Sequence, residues 1–239
     1  LGTTIYVDAD AAEHGDGSSW SAACQYLQDA LNAAHEGDEI WVAEGVYYPD
    51  EAEGGNLTDN DPTAAFTLDG INIGLYGGFA GNETDRAERD AASHLTVLSG
   101  DIDGDDAALE SNGILPDAHA IDGDNSHHVL YLDGTTTEIT NATVIDGFTI
   151  TAGDADGGNG DDVRGGGLYC DGGSGGTCSP SLTNVTFSGN TAESSGGAMF
   201  NYGYNGTSSP SPTNVNLSGN TAAWDGGAMF NNGSYGTSS

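Results

Sequence analysis

The stretch SPSLTNVTFSGNTA at residues 179–192 decides the fold, because it returns as SPSPTNVNLSGNTA at residues 209–222. A second motif, GGAMFN at residues 196–201, returns at residues 226–231, and GGLYC at residues 166–170 is similar to it one step earlier. The step is the same in every case. A period of about 30 residues lies within the range of about 20 to 50 that is typical of solenoids, propellers and other repeat arrays.

Each repeat carries two short runs with β-strand character, separated by glycine and asparagine, and neither run has a helical period. In the first run, Val185 and Phe187 alternate with hydroxyl side chains, so we expect them to point inward. Thr186 and Ser188 are then expected to face water. If one repeat makes one coil, equivalent strands stack about 4.8 Å apart. The sequence therefore predicts an all-β solenoid, specifically a right-handed parallel β-helix.

Stacking at this period places equivalent side chains over one another. A buried asparagine ladder is stable, because each amide can bond to the coil above and the coil below. The glycine pairs 196–197 and 226–227 are expected to turn a corner where a Cβ would clash or a positive φ is required. The predicted stacked pairs are Phe187 over Leu217, Met199 over Met229 and Asn190 over Asn220.

The N-terminal part of the chain has a different pattern. Apolar residues recur at steps of three and four over residues 20–35, which predicts an amphipathic helix. Ser18 or Ser19 is expected to cap its start and Gly37 to end it. A helix placed before the array would cap the first coil, whose edge would otherwise be unpaired.

The predicted helix, strands and repeats divide the chain into three regions. Strands are predicted around residues 3–7, 39–43, 65–68, 71–76, 95–98, 129–132 and 144–151. The regions are an N-terminal cap with the first coils (residues 1–48), irregular β-helix coils with polar insertions (residues 49–165), and regular 30-residue β-helix repeats expected to continue beyond the chain (residues 166–239).

The charge balance excludes several functions. The chain has 37 acidic residues against three arginines, has no lysine, and carries a formal net charge of −34. Such a charge repels the phosphate backbone of nucleic acids and anionic membrane surfaces. No run approaches the roughly 20 apolar residues of a membrane span. The need for counter-ions indicates a salty or calcium-containing medium, so we expect an extracellular or cell-surface location.

Several motifs resemble a known group of proteins. The segments GSSW (17–20), LQDAL (27–31), GDEIWVA (37–43), GVYYP (45–49), LYGGF (75–79) and LSGDIDG (98–104) resemble the opening coils of secreted right-handed parallel β-helix proteins. The C-terminal repeats resemble polymorphic outer-membrane-protein repeats, whose marks are Phe-x-x-Asn and Gly-Gly-Ala-apolar. Here these are Phe187 with Asn190 and residues 196–199, while Leu217 replaces the phenylalanine in the next copy. The resemblance implies the fold but not one function, because this scaffold hosts adhesins, structural proteins and polysaccharide-degrading enzymes.

Four aspartates, Asp101, Asp103, Asp105 and Asp106, lie close together around Gly104. Hard oxygen ligands at alternating positions are what Ca²⁺ requires, so we predict a Ca²⁺ site formed by these four residues. The spacing excludes an EF-hand, since glycine stands at the fourth place rather than the sixth. The alternative is a solvated acidic loop. A second acidic group, Asp154, Asp156, Asp161 and Asp162, matches a calcium-binding repeat in one copy only and is interpreted as chance.

The remaining candidates have local explanations or stay open. Cys170 and Cys178 either form one disulfide in an oxidising compartment or remain free, and Cys24 is predicted to be a buried apolar residue. Arg86 and Arg89 are expected to form local ion pairs on a short helical turn. Seven Asn-x-Ser/Thr sequons are present, several of them by chance. Exposed tyrosines are predicted to offer a sugar-stacking or adhesive face, namely Tyr202, Tyr204 and Tyr235.

Two classes of function fit this sequence. The first is a non-catalytic extracellular surface module, structural or adhesive, which associates end to end into a filament or belongs to a longer array. The second is a polysaccharide lyase or hydrolase acting in a β-helix groove. A lyase needs a basic residue such as Lys or Arg, and the chain has no lysine. A hydrolase needs a pair of carboxylates on facing elements, and no motif selects such a pair. We therefore favour the non-catalytic module and assign no catalytic residue.

Overall fold

The computed structural model describes residues 2–53 and 60–239. The sequon at Asn56 lies outside the described residues. Within these two ranges, one α-helix, α1 (Leu27–Ala33), and three 3₁₀ turns (Trp20–Ala22, Arg86–Glu88 and Ala118–Ala120) accompany many short strands. No helix in the described part of the chain combines the length and the apolar character that crossing a bilayer requires. The strands are β1 (Thr4–Val7), β2 (Glu39–Ala43), β3 (Gly45–Tyr47), β4 (Phe66–Asp69), β5 (Gly74–Phe79), β6 (Thr96–Ser99), β7 (Leu130–Asp133), β8 (Val144–Asp146), β9 (Phe148–Thr151), β10 (Asp154–Ala155), β11 (Leu168–Asp171), β12 (Thr177–Cys178), β13 (Ser181–Thr183), β14 (Thr186–Ser188), β15 (Thr191–Ala192), β16 (Met199–Tyr202), β17 (Thr207–Ser208), β18 (Ser211–Thr213), β19 (Asn216–Ser218), β20 (Thr221–Ala222), β21 (Met229–Asn232) and β22 (Thr237–Ser238).

These strands form stacked parallel sheets, so the predicted β-solenoid is confirmed at this level. Every pairing between named strands is parallel, and the chain visits each sheet in turn before returning one layer further on. The sheets have the orders β1-β2-β5-β8-β13-β18, β3-β6-β9-β14-β19, β4-β7-β11-β16-β21, β10-β15-β20 and β12-β17-β22.

The last two coils stack as predicted. Phe187 pairs with Leu217 and Met199 with Met229, each one full repeat apart. The side-chain amide of Asn190 donates to Oδ1 of Asn220 at 2.9 Å. A Cβ on Gly197 would lie 1.8 Å from the carbonyl oxygen of Thr221, so this corner requires glycine.

The spacing between strand β11 and strand β16, one coil earlier, differs from the regular repeat. This corrects the prediction of a constant repeat length. Leu168 pairs with Met199 and Tyr169 with Phe200, so each pair is separated by one residue more than the regular repeat. The additional residue lies in the turn after β11, because Thr177 pairs with Thr207 at the regular spacing again. The shift keeps Leu168 inward, whereas a slip of one residue would turn every side chain of the strand to the other face.

The predicted orientation of the outer hydroxyls is wrong for Ser188. Its side chain is buried, and its hydroxyl donates to the carbonyl oxygen of Leu115 at 2.9 Å. The neighbouring hydroxyl of Thr151 accepts from the amide of Leu115 at 2.9 Å. The insertion between β6 and β7 therefore lies against the outside of this sheet. The strand predicted at residues 144–151 is likewise divided in two, at Gly147, whose φ is +88°.

The helix is shorter than predicted. It begins after Tyr26 rather than after Ser18 or Ser19, and its N-terminus has no side-chain cap. Its first predicted turns are replaced by the 3₁₀ turn Trp20–Ala22 and a short extended segment, in which Cys24 forms a parallel bridge with Val7 of β1. The amide of Cys24 donates to the carbonyl oxygen of Tyr6 at 2.9 Å, which ties this segment to the strand. Helix α1 buries Leu27, Ala30 and Leu31 against the apolar core.

Two other local predictions have clear outcomes. Cys170 and Cys178 form a disulfide, and Cys24 is free and buried. The 3₁₀ turn at Arg86–Glu88 is present, but its arginines pair with distant carboxylates rather than local ones. Arg86 pairs with Glu39 and Arg89 with Asp146.

Candidate metal centre

The predicted acidic loop begins where a core strand ends. Strand β6 ends at Ser99, whose hydroxyl accepts a hydrogen bond from the amide of Asp101 at 3.3 Å. The amide of Gly100 donates to the carbonyl oxygen of Thr151 on the neighbouring strand at 2.9 Å. The first aspartate therefore leaves a fixed sheet edge, and the loop that follows is anchored at its start.

Three of the four predicted aspartates come together. Asp101, Asp103 and Asp105 each offer a carboxylate oxygen, and these oxygens lie within 4.8 Å of one another. Two ligands on opposite sides of a Ca²⁺ ion, each about 2.4 Å from it, are about 4.8 Å apart. The spacing therefore suits one cation between the three side chains. Asp101 is buried, Asp103 is half-buried and Asp105 is exposed.

Asp106, the fourth predicted ligand, lies outside this group. Its Oδ1 accepts from the amide of Asp122 at 2.6 Å, and its Oδ2 accepts from the side-chain amide of Asn125 at 3.0 Å. Both oxygens are therefore engaged by the segment 122–125. Asp106 holds that segment against the loop instead of facing the other carboxylates.

The segment 122–125 closes over the three carboxylates and was missed by the sequence reasoning. The amide of Asp124 donates to Oδ2 of Asp103 at 3.0 Å. A Cβ on Gly123 would lie 2.4 Å from Oδ2 of Asp105, so only glycine fits there without displacement. A signal was present, because Asp122-Gly123-Asp124-Asn125 has the same character as Asp103-Gly104-Asp105-Asp106.

Two carboxylate oxygens in this group are inaccessible to solvent and have no hydrogen-bond partner among the residues that the structure describes. They are Oδ2 of Asp101 and Oδ1 of Asp103. The other oxygen of Asp101 accepts from the amide of Asp105 at 3.1 Å. A buried acceptor without a partner costs roughly 1–3 kcal/mol, and more when it is charged. A bound cation would satisfy both oxygens at once.

The electrostatics of the loop favour an added positive charge. Burial raises the pKa of Asp101, although the backbone amides of Asp106 and Asp105 oppose this effect. Partial loss of hydration, with the neighbouring Asp103 carboxylate, raises the pKa of the exposed Asp105. Burial also raises the pKa of Asp106, against the hydrogen bonds from Asn125 and Asp122. A divalent cation favours the ionised carboxylates and reverses these shifts.

There is room for further ligands beside the group. A shallow pocket of about 260 Å³ reaches Asp101 and Asp103 and is also lined by Tyr48, Asp50 and Glu51. Ca²⁺ takes six to eight oxygen ligands and commonly completes its shell with water. The pocket offers oxygens and space for that shell, so the residues present fit a hard divalent cation.

The second acidic group does not assemble into a comparable site among the described residues. The Tyr169 hydroxyl donates to Asp161 at 2.7 Å, and Asp156 lies 3.4 Å from His127. Asp162 lies 3.9 Å from His128. These carboxylates therefore have separate neighbours.

No protein-family model matches the chain, and comparisons with curated proteins and with solved structures give no match either.

Proposed function

We propose that this chain is a non-catalytic structural or adhesive module of the cell exterior, folded as a right-handed parallel β-helix. Parallel strands joined by crossovers within one sheet are right-handed in about 98% of cases, which supports this hand. Helix α1 packs beside β1, β2 and β4, the first strands of their sheets or next to them. In this proposal α1 caps the first coil and shields its edge from pairing.

The observation that carries the proposal is the surface of the last described coil. Strands β18 to β22 each end their sheet, with one hydrogen-bonded neighbour. Met229 is 41% exposed, whereas its equivalent Met199 is 3% exposed. Val215 and Leu217 are only partly buried, and a mostly apolar recess of about 190 Å³ lies between them and Met229.

This surface suits another coil of the same repeat. The coil below already demonstrates the contact, since Val185 and Phe187 are completely covered and the asparagine ladders continue across it. A further coil would add parallel strands by backbone pairing, as in other forms of strand addition. In the proposed function, such pairing builds an elongated array or filament, in which the role of the chain is reach or attachment.

The disulfide and the charge support an external location. A disulfide persists in oxidising compartments, and a net charge of −34 is tolerated best where counter-ions are abundant. Ca²⁺ is the cation we propose for Asp101, Asp103 and Asp105. When bound, it would supply positive charge and be coordinated by carboxylate oxygens of these three residues, next to segment 122–125.

Association of the 239-residue chain tests the proposed function. We expect light scattering and electron microscopy to show concentration-dependent, elongated assemblies between micromolar and millimolar protein. Met229→Glu should abolish them, because a charge would be placed in the apolar recess. Leu95→Glu, at another exposed apolar residue, should leave them unchanged. A folded, monomeric wild-type chain at all concentrations, with an ordered last coil, would refute the proposal.

A further inference from the structure

All three arginines of this chain are held in the same way. Arg86 lies over the ring of Tyr76 at 4.4 Å, and Arg164 lies over the ring of Phe200 at 5.5 Å. Arg89 also lies over Tyr76, at 5.4 Å. Each guanidinium has a carboxylate partner as well; these are Glu39 for Arg86, Asp161 for Arg164 and Asp146 for Arg89. Each arginine cation of this chain is thus held by the face of an aromatic ring together with a carboxylate.

Three further rings lie beside Phe200, where Tyr202 is half-buried and Tyr204 and Tyr235 are exposed. Tyr202 and Tyr204 are stacked at 6.1 Å and 13°, and Tyr235 meets Tyr204 edge to face at 5.7 Å. Tyr204 is 37% exposed and Tyr235 is 86% exposed. We call Tyr202, Tyr204 and Tyr235 the tyrosine face.

Carboxylates border the tyrosine face. Asp171 is the register partner of Tyr202 on the adjacent strand, and Asp133 is the partner of Asp171 on the strand after that. Asp171 is buried, and its Oδ1 accepts from the amide of Gly173 at 2.8 Å, so it acts on the face through its charge. The carboxylates of Asp161 and Asp171 lie close enough to raise the pKa of Tyr202, an effect to which its partial burial contributes most. The Arg164 guanidinium, which is paired with Asp161, opposes this effect. The negative faces of the rings and the carboxylate of Asp171 act in the same direction on a nearby cation.

We propose that the tyrosine face, with Asp171, binds arginine or lysine side chains of a basic polypeptide partner. A second copy of this sequence is not the partner, because it has no lysine and its three arginines are all paired. A net charge of −34 attracts a basic partner from a distance, and the ring faces select where it binds. The inference goes beyond the proposed function, since neither coil stacking nor the acidic loop contributes to it.

The neighbouring repeat supplies matched substitutions. Ser234 is the counterpart of Tyr204 in the next repeat, and Asn205 is the counterpart of Tyr235 in the previous one. Asn205 and Tyr235 also share a positive φ, of 55° and 59°. Tyr204→Ser and Tyr235→Asn therefore remove rings while keeping a side chain that this backbone already accommodates. Tyr204→Phe and Tyr235→Phe keep the rings.

The test is calorimetric titration with a blocked hexa-arginine peptide at physiological salt, with hexacitrulline as its uncharged counterpart. We expect hexa-arginine alone to bind. Each exposed ring is worth about two- to fivefold in affinity, so Tyr204→Ser/Tyr235→Asn should weaken binding about fivefold or more. The double phenylalanine variant should bind within about twofold of wild type. Asp171→Asn should also weaken binding, whereas Asp10→Asn, at a distant exposed aspartate, should not.

Several results of the same titrations would contradict the proposal. Equal affinity of wild type and Tyr204→Ser/Tyr235→Asn would show diffuse attraction by net charge and overturn the proposal, as would the absence of any binding to wild type. Tyrosine-dependent binding of a neutral hexasaccharide in place of the peptide would identify a glycan face instead. Trp224→Leu removes an aromatic that is 80% exposed elsewhere, and it should bind like wild type. Unchanged thermal melting identifies variants that remain folded.

Discussion

Burial and charge oppose each other most directly in the side chain of Asp101. The carboxylate is almost fully buried, and one of its oxygens has no hydrogen-bond partner in residues 2–53 and 60–239. The folded chain therefore holds the ionised form at a cost, which protonation or a cation can remove. Because the folded pKa is raised, the associated stability is present at low pH and is lost as the pH rises through that pKa. A bound cation would restore it at neutral pH.

Removal of this charge should have opposite effects with and without calcium. At neutral pH in a chelator, Asp101→Asn should raise the melting temperature, since no buried charge remains. In millimolar Ca²⁺ the wild type should gain about 2–3 kcal/mol at a hundredfold excess over Kd, or several degrees, and the variant should gain little. Differential scanning calorimetry measures both arms.

The control for calcium is Asp10→Asn, at an exposed aspartate outside the loop, which should keep the full response. Asp103→Asn should lose it, because it removes a second buried oxygen from the group. A wild type whose melting temperature is the same in chelator and in millimolar Ca²⁺ would disprove the calcium site.

Asp154 makes a second prediction at this scale. Burial, followed by the nearby Asp156 carboxylate, raises its pKa from 3.8 to about 6. Its contribution to stability is therefore present below about pH 4 and lost as the pH rises to about 6. Asp154→Asn should remove that part of the pH dependence and stabilise the protein by roughly 1–3 kcal/mol at neutral pH. Urea unfolding across this pH range measures the difference, and parallel curves for variant and wild type would contradict it.

Among the elements, the asparagine ladder is the contact that fixes one coil on the next. Asn190 is fully buried, accepts from the amide of Gly153 at 3.0 Å and donates to the carbonyl oxygen of Ile150 at 3.0 Å. Its amide also reaches Asn220 in the following coil. One side chain thus satisfies polar groups of three successive layers, which an apolar residue of similar size cannot do.

Asn190→Leu should therefore destabilise the protein by roughly 2–4 kcal/mol, because it leaves several buried backbone groups without partners. Asn216→Thr, which copies the equivalent Thr186 at an exposed strand position, should change stability by less than about 0.5 kcal/mol. Urea denaturation followed by circular dichroism compares them. Similar losses in the two variants would show that burial of the ladder is not the cause.

At the scale of the whole molecule, the sequence predicted the stacking of the repeated strands. It did not predict the features that depend on contacts between residues far apart in the chain. Copies one repeat apart identified the stacked pairs, since equivalent residues of successive repeats take the same place in their coils. The late start of α1 depends on the bridge between Cys24 and Val7, and no local pattern reports such a pairing. Likewise, the fold brought segment 122–125 over the acidic loop and turned Asp106 away, although local spacing alone made Asp106 equivalent to its neighbours.

The arrangement of strands also determines how the molecule would respond to mechanical force. The strands run across the stacking direction, so a pull on one end would peel off a coil at a time. Each regular coil stores about 100 Å of extended chain within an axial rise of about 4.8 Å. The disulfide between Cys170 and Cys178 would keep the loop between these residues closed. The coil that contains it would therefore extend less until the disulfide was reduced.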